Sequence, residues 1–264
     1  MVEIKPNIVL KTIDLKIGYQ NKSGTILIGE QIDLEFYEGE LIGLVGANGI
    51  GKSTLLRTLT KVQPKLDGKI VINETNLEDF DLNALAMALS VVLTESIASK
   101  NLSAYEVIAL GRQPYTNWFG NLNSEDLEKI DEAISRTQID GFINKKCFEL
   151  SDGQLQKVMI ARALAQDTDL IILDEPTTHL DMYHKAQILT LLRTLSKETG
   201  KTILFSSHEI DLAIQLCDKM IIMTKEQSLL DTPEGHIAQG HFSRLFPKDL
   251  IVFDPETKAF RVNK

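Results

Sequence analysis

No stretch of the chain approaches the roughly 18 uninterrupted apolar residues of a membrane-crossing helix. The opening Met1-Val2-Glu3-Ile4-Lys5-Pro6 also lacks the apolar core of a secretory signal. Cysteine is scarce. The two present, Cys147 and Cys217, belong to no short motif, so neither a disulfide nor a thiolate metal site is expected. They read as buried thiols in a reducing compartment. Positive charge is in deficit, with 28 Lys plus Arg against 37 Asp plus Glu and a net charge of −9. Binding nucleic acid needs clustered cations, so that class is excluded, and solubility accounts for the acidity. Internal repeats, low-complexity tracts and long linkers are missing too. The protein is expected to be cytoplasmic on its own account, with any hold on a membrane made through a partner.

The 264 residues, 43% of them hydrophobic, suffice for one large α/β unit or two small lobes with a sizeable core. Residues 46–54 read Gly-Ala-Asn-Gly-Ile-Gly-Lys-Ser-Thr and directly follow the apolar run Leu41-Ile42-Gly43-Leu44-Val45. This is G-x-x-x-x-G-K-S between a buried strand and a helix, the context in which the pattern carries a mechanism. Gly46, Gly49 and Gly51 permit a tight turn. The amides of the loop, across Ala47, Asn48 and Ile50, then join the positive helix end in a concavity for phosphates. Lys52 would reach the β- and γ-phosphates, the Ser53 hydroxyl would ligate Mg²⁺, and Thr54 closes the motif. A nucleoside triphosphate is the expected ligand.

Residues 8–40 alternate, with Ile32, Leu34 and Phe36 facing one way and Asp33, Glu35 and Tyr37 the other, as in a half-buried antiparallel strand. Gly18, residues 21–24 and Gly39 read as turns, and residues 68–73 as a further strand. The middle region is helical. Ser103 and Glu106 form a capping box before Val107, Ile108 and Leu110. A second helix over about residues 124–137 puts Leu127, Ile130 and Ile134 on one stripe, after a loop over 113–123. Residues 170–173 and 202–205 are short apolar runs of the kind buried parallel strands show, joined through a helix over about 184–198. From Gln227 onward there is little periodicity.

The strand at 170–173 ends in Asp174 and Glu175, where open parallel sheets put their ligands. Asp174 suits the Walker-B role toward Mg²⁺. Glu175 suits a general base that polarises the attacking water. Leu150-Ser151-Asp152-Gly153-Gln154 opens a helix running to about Gln166. Ser151 with Gln154 is a capping box that needs no ligand, yet the same helix end can present Ser151 and the Gly153 amide to a γ-phosphate.

Taken in order, the phosphate loop at 46–54, the signature at 150–154 and the acids at 170–175 resemble the ATP-binding subunits of ABC transporters over nearly the whole chain. His208, after Phe205-Ser206-Ser207, matches the switch histidine of that family. Asp181, after Leu180, matches the D-loop, and Tyr19 matches the aromatic that stacks on adenine. The resemblance implies an α/β fold: a P-loop NTPase (RecA-like) core with an antiparallel β layer and an inserted α-helical subdomain. It implies one ABC ATPase domain over 1–264, with 1–95 and 155–264 forming the β layer and core and 96–154 the helical signature subdomain. It also implies a homodimer closing head to tail around two ATP molecules, so that Ser151, Asp152, Gly153 and Gln154 serve the opposite protomer's nucleotide. Lys52, Glu175 and His208 would be catalytic, with Ser53, Asp174 and Glu95 toward Mg²⁺.

Two positions depart from the family pattern. Glu95 stands where glutamine is usual in the Q-loop, and Asp152 replaces one residue of the usual glycine pair. The carboxylate of Glu95 would attract Mg²⁺ but repel Glu175 and the γ-phosphate. Asp152 should point away from ATP. Gly111-Arg112-Gln113-Pro114 resembles a segment of the ATPases serving iron-siderophore, haem and cobalamin importers, although a helix-capping glycine and a proline stop explain Gly111 and Pro114 equally well. The short tail argues against the regulatory domain of some sugar-import ATPases. Ferric-siderophore or haem import ranks first and cobalamin second. The implied partners are integral permease subunits and, indirectly, a solute-binding protein, which would place the chain peripherally on the inner face of the cell membrane. The alternative is a soluble ABC ATPase outside transport, such as one in iron–sulfur cluster assembly.

Overall fold

The computed structural model describes residues 7–21, 24–93, 100–247 and 249–263. Glu95 lies outside them. Two sheets carry the fold. In chain order the elements begin with β1 (Ile8–Asn21), β2 (Gly24–Ile32), β3 (Glu35–Tyr37), β4 (Leu41–Gly46), α1 (Lys52–Leu59), β5 (Asp67–Ile72) and β6 (Thr75–Asn76). There follow α2 (Leu82–Ala88), β7 (Leu89–Val92), α3 (Ala104–Ala109), α4 (Ser124–Thr137) and α5 (Asp152–Ala165). The chain continues through β8 (Leu170–Leu173), α6 (Met182–Thr199), β9 (Thr202–Ser206), α7 (Ile210–Leu216) and β10 (Lys219–Met223). It ends with β11 (Ser228–Asp231), α8 (Pro233–Ala238), β12 (Ile251–Asp254) and β13 (Ala259–Val262).

The antiparallel sheet runs β2-β1-β5-β6, with β3 also paired to β1. The larger sheet runs β11-β10-β4-β9-β8-β7, parallel throughout except for β11. Because side chains alternate along a strand, its central strands feed two cores. Ile42, Leu44, Leu170, Ile172 and Leu204 pack with α1 and the antiparallel sheet. Leu41, Val45, Ile171, Leu173, Ile203 and Phe205 pack with the helices of the other side. Both faces are covered, which is why these strands read as continuous apolar runs rather than alternating ones.

Helices α3, α4 and α5 each start on a two-way cap: Ser103 with Glu106, Asn123 with Asp126, and Ser151 with Gln154. The stripe expected of α4 needs one correction. Ile130 and Ile134 are buried with Ala133, but Leu127 is exposed. Gly111 is not a cap, since the chain continues past it as a 3-10 helix over Leu110–Tyr115 that includes Pro114. Its reason is close approach: a Cβ there would lie 2.3 Å from the Arg162 carbonyl oxygen on α5. Next to it the Arg112 guanidinium is interior. Nε meets Asp126 Oδ1 at 2.8 Å, Nη1 donates to Ala165 O at 3.0 Å, and the group lies 3.9 Å above the Tyr115 ring. Beyond it Asn117 Oδ1 accepts from the Phe119 and Asn121 amides, holding a loop whose Trp118 is 97% exposed.

One other expectation changes. Gly18 is not a turn but sits inside β1, where the pairing with β2 shifts register. Beyond Gln227, where the sequence shows little periodicity, Phe242, Phe253 and Phe260 form an aromatic cluster between the β12–β13 hairpin and the body. Short elements of 4 to 6 residues leave too little periodicity for the sequence to declare them. Among the described residues no helix is long and apolar enough to cross a membrane.

Candidate functional site

The phosphate loop leaves the C-terminal end of β4, a fully buried strand held between β9 and β10. Gly51 takes φ 116°, and a Cβ there would strike Ile28 Cγ2 at 2.3 Å, so the loop can pass under β2 only as glycine. Asn48 and Gly49 are exposed at its rim, with Ala47 and Ile50 half-buried. Lys52 is the first residue of α1 and is 5% exposed. Its Nζ donates to Gly46 O at 3.0 Å and Ala47 O at 3.3 Å. Burial pulls its pKa below the usual lysine value, against the opposing pull of Glu175 and Asp174. Those two acids therefore lie close enough to share its field.

Parallel register explains why. Leu173 stands beside Phe205 and Leu44 beside Ser206, so the ends of β4, β8 and β9 converge. Asp174 Oδ1 accepts from Ser206 Oγ at 2.7 Å and lies 3.4 Å from Ser53 Oγ. The Ser206 hydroxyl in turn accepts from the Glu175 amide at 2.8 Å. Glu175 is left-handed, at φ 49°, which turns its side chain off the strand line. Its Oε1 meets His208 Nε2 at 2.7 Å, and its Oε2 accepts from Thr178 Oγ1 at 3.1 Å. Ser53 and Asp174 offer hard oxygen donors facing one another, the set that suits Mg²⁺ when phosphates supply other ligands.

Tyr19 reaches the same helix from β1, its hydroxyl 2.9 Å from Thr54 Oγ1, with the side chain substantially exposed. Lys52, Ser53, Thr54, Tyr19, Asp174, Glu175 and His208 are thus linked around one loop. The signature residues stand apart from it. Ser151 and Asp152 are exposed, and among the described residues none of the phosphate loop lines the cavity at the first turn of α5. That turn opens on a cavity of about 210 Å³ lined also by Phe142, Lys157, His184 and Gln187. Asp181 caps α6, its carboxylate accepting from the His184 amide at 2.9 Å.

Ser206 was not singled out by the sequence beyond its place before His208. The signal that marks it is register: it ends the strand beside the one carrying Asp174. Thr178, three residues after Glu175, is likewise invisible until the turn brings its hydroxyl back.

The profile of the ABC transporter family matches residues 30–178. The chain is 41% identical over 244 residues to an uncharacterized ABC transporter ATP-binding protein of Methanocaldococcus jannaschii, covering 92% of this chain and 80% of that one. It is 36% identical over 250 residues to the iron(3+)-hydroxamate import ATP-binding protein of Bacillus subtilis, covering 94% and 91%. Among solved structures, a putative metal-chelate type ABC transporter in an inward-facing conformation superposes with a TM-score of 0.78 at 25% identity, covering 91% and 89%. A dimeric post-hydrolysis ATP-binding cassette bound to ADP and Pi gives 0.72 at 26% identity, covering 85% and 98%.

Proposed function

The chain belongs to the ABC transporter family and is an ATPase, and from that premise we propose that it powers a membrane importer for iron-siderophore complexes or haem, with cobalamin second. The observation that carries the catalytic part is the Glu175–His208 contact, one residue beyond the Ser53–Asp174 pair. Glu175 accepts the proton of the attacking water as the new bond to the γ-phosphorus forms and the bond to the β–γ bridging oxygen breaks. His208 orients that carboxylate from one side and Thr178 from the other. Lys52 exchanges the carbonyls of its own loop for phosphate oxygens, and residues 46–54 cradle the phosphates through their amides. Ser53 Oγ and Asp174 would hold Mg²⁺, directly or through water, and the ion would supply positive charge against the phosphates. Tyr19 stacks on adenine.

The site is completed by a second copy, whose Ser151, Gly153 amide and Gln154 meet the γ-phosphate and whose Asp181 approaches the loop. Asp152, exposed at that helix end, keeps its carboxylate outside the contact. Residues 96–154 would act as the signature subdomain on a core of 1–95 and 155–264. Glu95 would serve as the Q-loop ligand and sensor, and Glu95→Gln would then change either ATPase rate or transport coupling. The iron-chelate class is supported by the relative named for iron(3+)-hydroxamate import and by the metal-chelate type transporter. A soluble ABC ATPase in cluster assembly draws no support from relatives named for transport.

The test is affinity isolation of the chain from its own cell's membranes. A stoichiometric integral permease, active with iron chelates, haem or cobalamin, supports the importer. Recovery with cytosolic partners alone overturns it and promotes the cluster-assembly reading.

A further inference from the structure

The signature turn and the D-loop share one side chain. His184, in the first turn of α6, places Nδ1 2.8 Å from Asp181 Oδ1, the same oxygen that accepts the His184 amide at 2.9 Å. A carboxylate only accepts, so Nδ1 carries the hydrogen and the ring is fixed in orientation. The ring's other edge lies over Gly153. A Cβ built on Gly153 would sit 3.2 Å from His184 Cδ2 and 3.8 Å from Leu180 Cδ2, so the absent side chain lets the helix end rest on the 180–184 segment. Tyr183 meets the ring edge-on at 5.5 Å between centroids. Capping explains the amide bond and not the ring. An N-cap needs only the Asp181 carboxylate and the backbone amide; the ring is an addition that spans to another helix.

We propose that His184 is a positioning residue, which joins Ser151–Gln154 to Asp181 so that both present themselves to a partner's nucleotide as one rigid piece. This rests on the head-to-tail dimer of the proposed function. Two contacts make the link, and each is removed separately by one substitution. His184→Asn keeps a side-chain N–H for Asp181 and loses the ring over Gly153. His184→Phe keeps a ring and loses the hydrogen bond. His184→Ala loses both.

The experiment uses Glu175→Gln as parent, in which bound ATP persists, and follows ATP-driven dimerisation by sedimentation. ATP affinity of the dilute chain and its melting temperature are read alongside. The link predicts that all three substitutions raise the protein concentration needed for dimerisation by about tenfold. Affinity and melting temperature stay at the parent values, and in the otherwise native chain kcat falls while KM holds. Parent-like dimerisation by His184→Asn would reduce the residue to a cap, and by His184→Phe to packing; either overturns the inference. Loss of melting temperature or ATP affinity in step with dimerisation overturns it too, by making the role one of folding. A parent that forms no ATP-dependent dimer removes the functional reading itself, and the inference with it.

Discussion

The interior pair Arg112–Asp126 gives the sharpest test of how the helical side of the molecule is held. Their side chains are 3% and 1% exposed. Burial alone would raise the Asp126 pKa, but the Asn123 amide and the Arg112 guanidinium hold it below the usual aspartate value. Asp126→Ala strips the guanidinium of its only anionic partner among the described residues and leaves it facing Ala165 O and the Tyr115 ring. An uncompensated buried charge costs about 3–5 kcal/mol, and loss of the carboxylate half of the cap, its bond from the Asn123 amide, adds about 1 kcal/mol. The sum, roughly 4–6 kcal/mol, is a large part of the 5–15 kcal/mol that typical domains possess. Arg112→Met strands the acid instead and should cost about 3–5 kcal/mol. Replacing both, with Arg112→Met and Asp126→Leu, removes both desolvated charges and should cost only about 1–2 kcal/mol, mostly the cap. Together the two single losses, about 7–11 kcal/mol, should therefore exceed the double by roughly 5–10 kcal/mol. Urea unfolding followed by far-UV circular dichroism measures all three. Single losses below about 1 kcal/mol, or a double variant as damaged as the sum, would refute the claim that this pair sits in a dry interior.

Glu175→Gln should retain ATP binding while turnover falls by about 10²–10⁴, measured as phosphate release; undiminished turnover would remove it as the base. Tyr19→Ala should weaken ATP about tenfold through lost stacking, whereas Tyr19→Phe, which loses only the half-exposed Thr54 bond, should stay within about threefold. Titration of bound nucleotide separates the two. His236 and His241 are buried with their Nδ1 atoms 2.9 Å apart, and His236 Nε2 meets Met220 O at 2.8 Å. Burial depresses both pKa values, with Arg244 nearby lowering His241 further and Asp231 opposing. The unfolded chain thus binds more protons below its own histidine pKa of about 6.5. The stability tied to these neutral rings is complete above that pH and is lost as pH falls from about 6.5 toward the folded values. Melting temperature from pH 8 to 5 should fall, and His236→Leu should flatten the slope; an equally steep slope in that variant would dismiss the pair.

The phosphate loop, the acids after β8 and the caps of α3 and α5 were legible because each is local: glycines, a charge or a capping pair at fixed offsets. What remained hidden depends on non-local pairing. Ser206 becomes a site residue only through the β8–β9 register, and the exposure of Leu127 is decided by which faces of α4 meet α5. A cap explained Gly111 as well as any other reading, because the approach of Arg162 O, 51 residues away, has no trace in its neighbourhood. The hairpin of β12 and β13 is held by Phe242 and Phe260 across the tail, a contact no short window contains.

Trp118 is the single tryptophan of the chain, and it stands almost wholly in water on the loop after Tyr115. Near-ultraviolet emission from this molecule is therefore a message from one place. Unfolding moves that indole from solvent to solvent, so its colour should barely change, which is why the denaturation above is followed by ellipticity. A shift to the blue on mixing with permease-bearing membranes would have one meaning: something apolar has come to rest on the tip of the helical side.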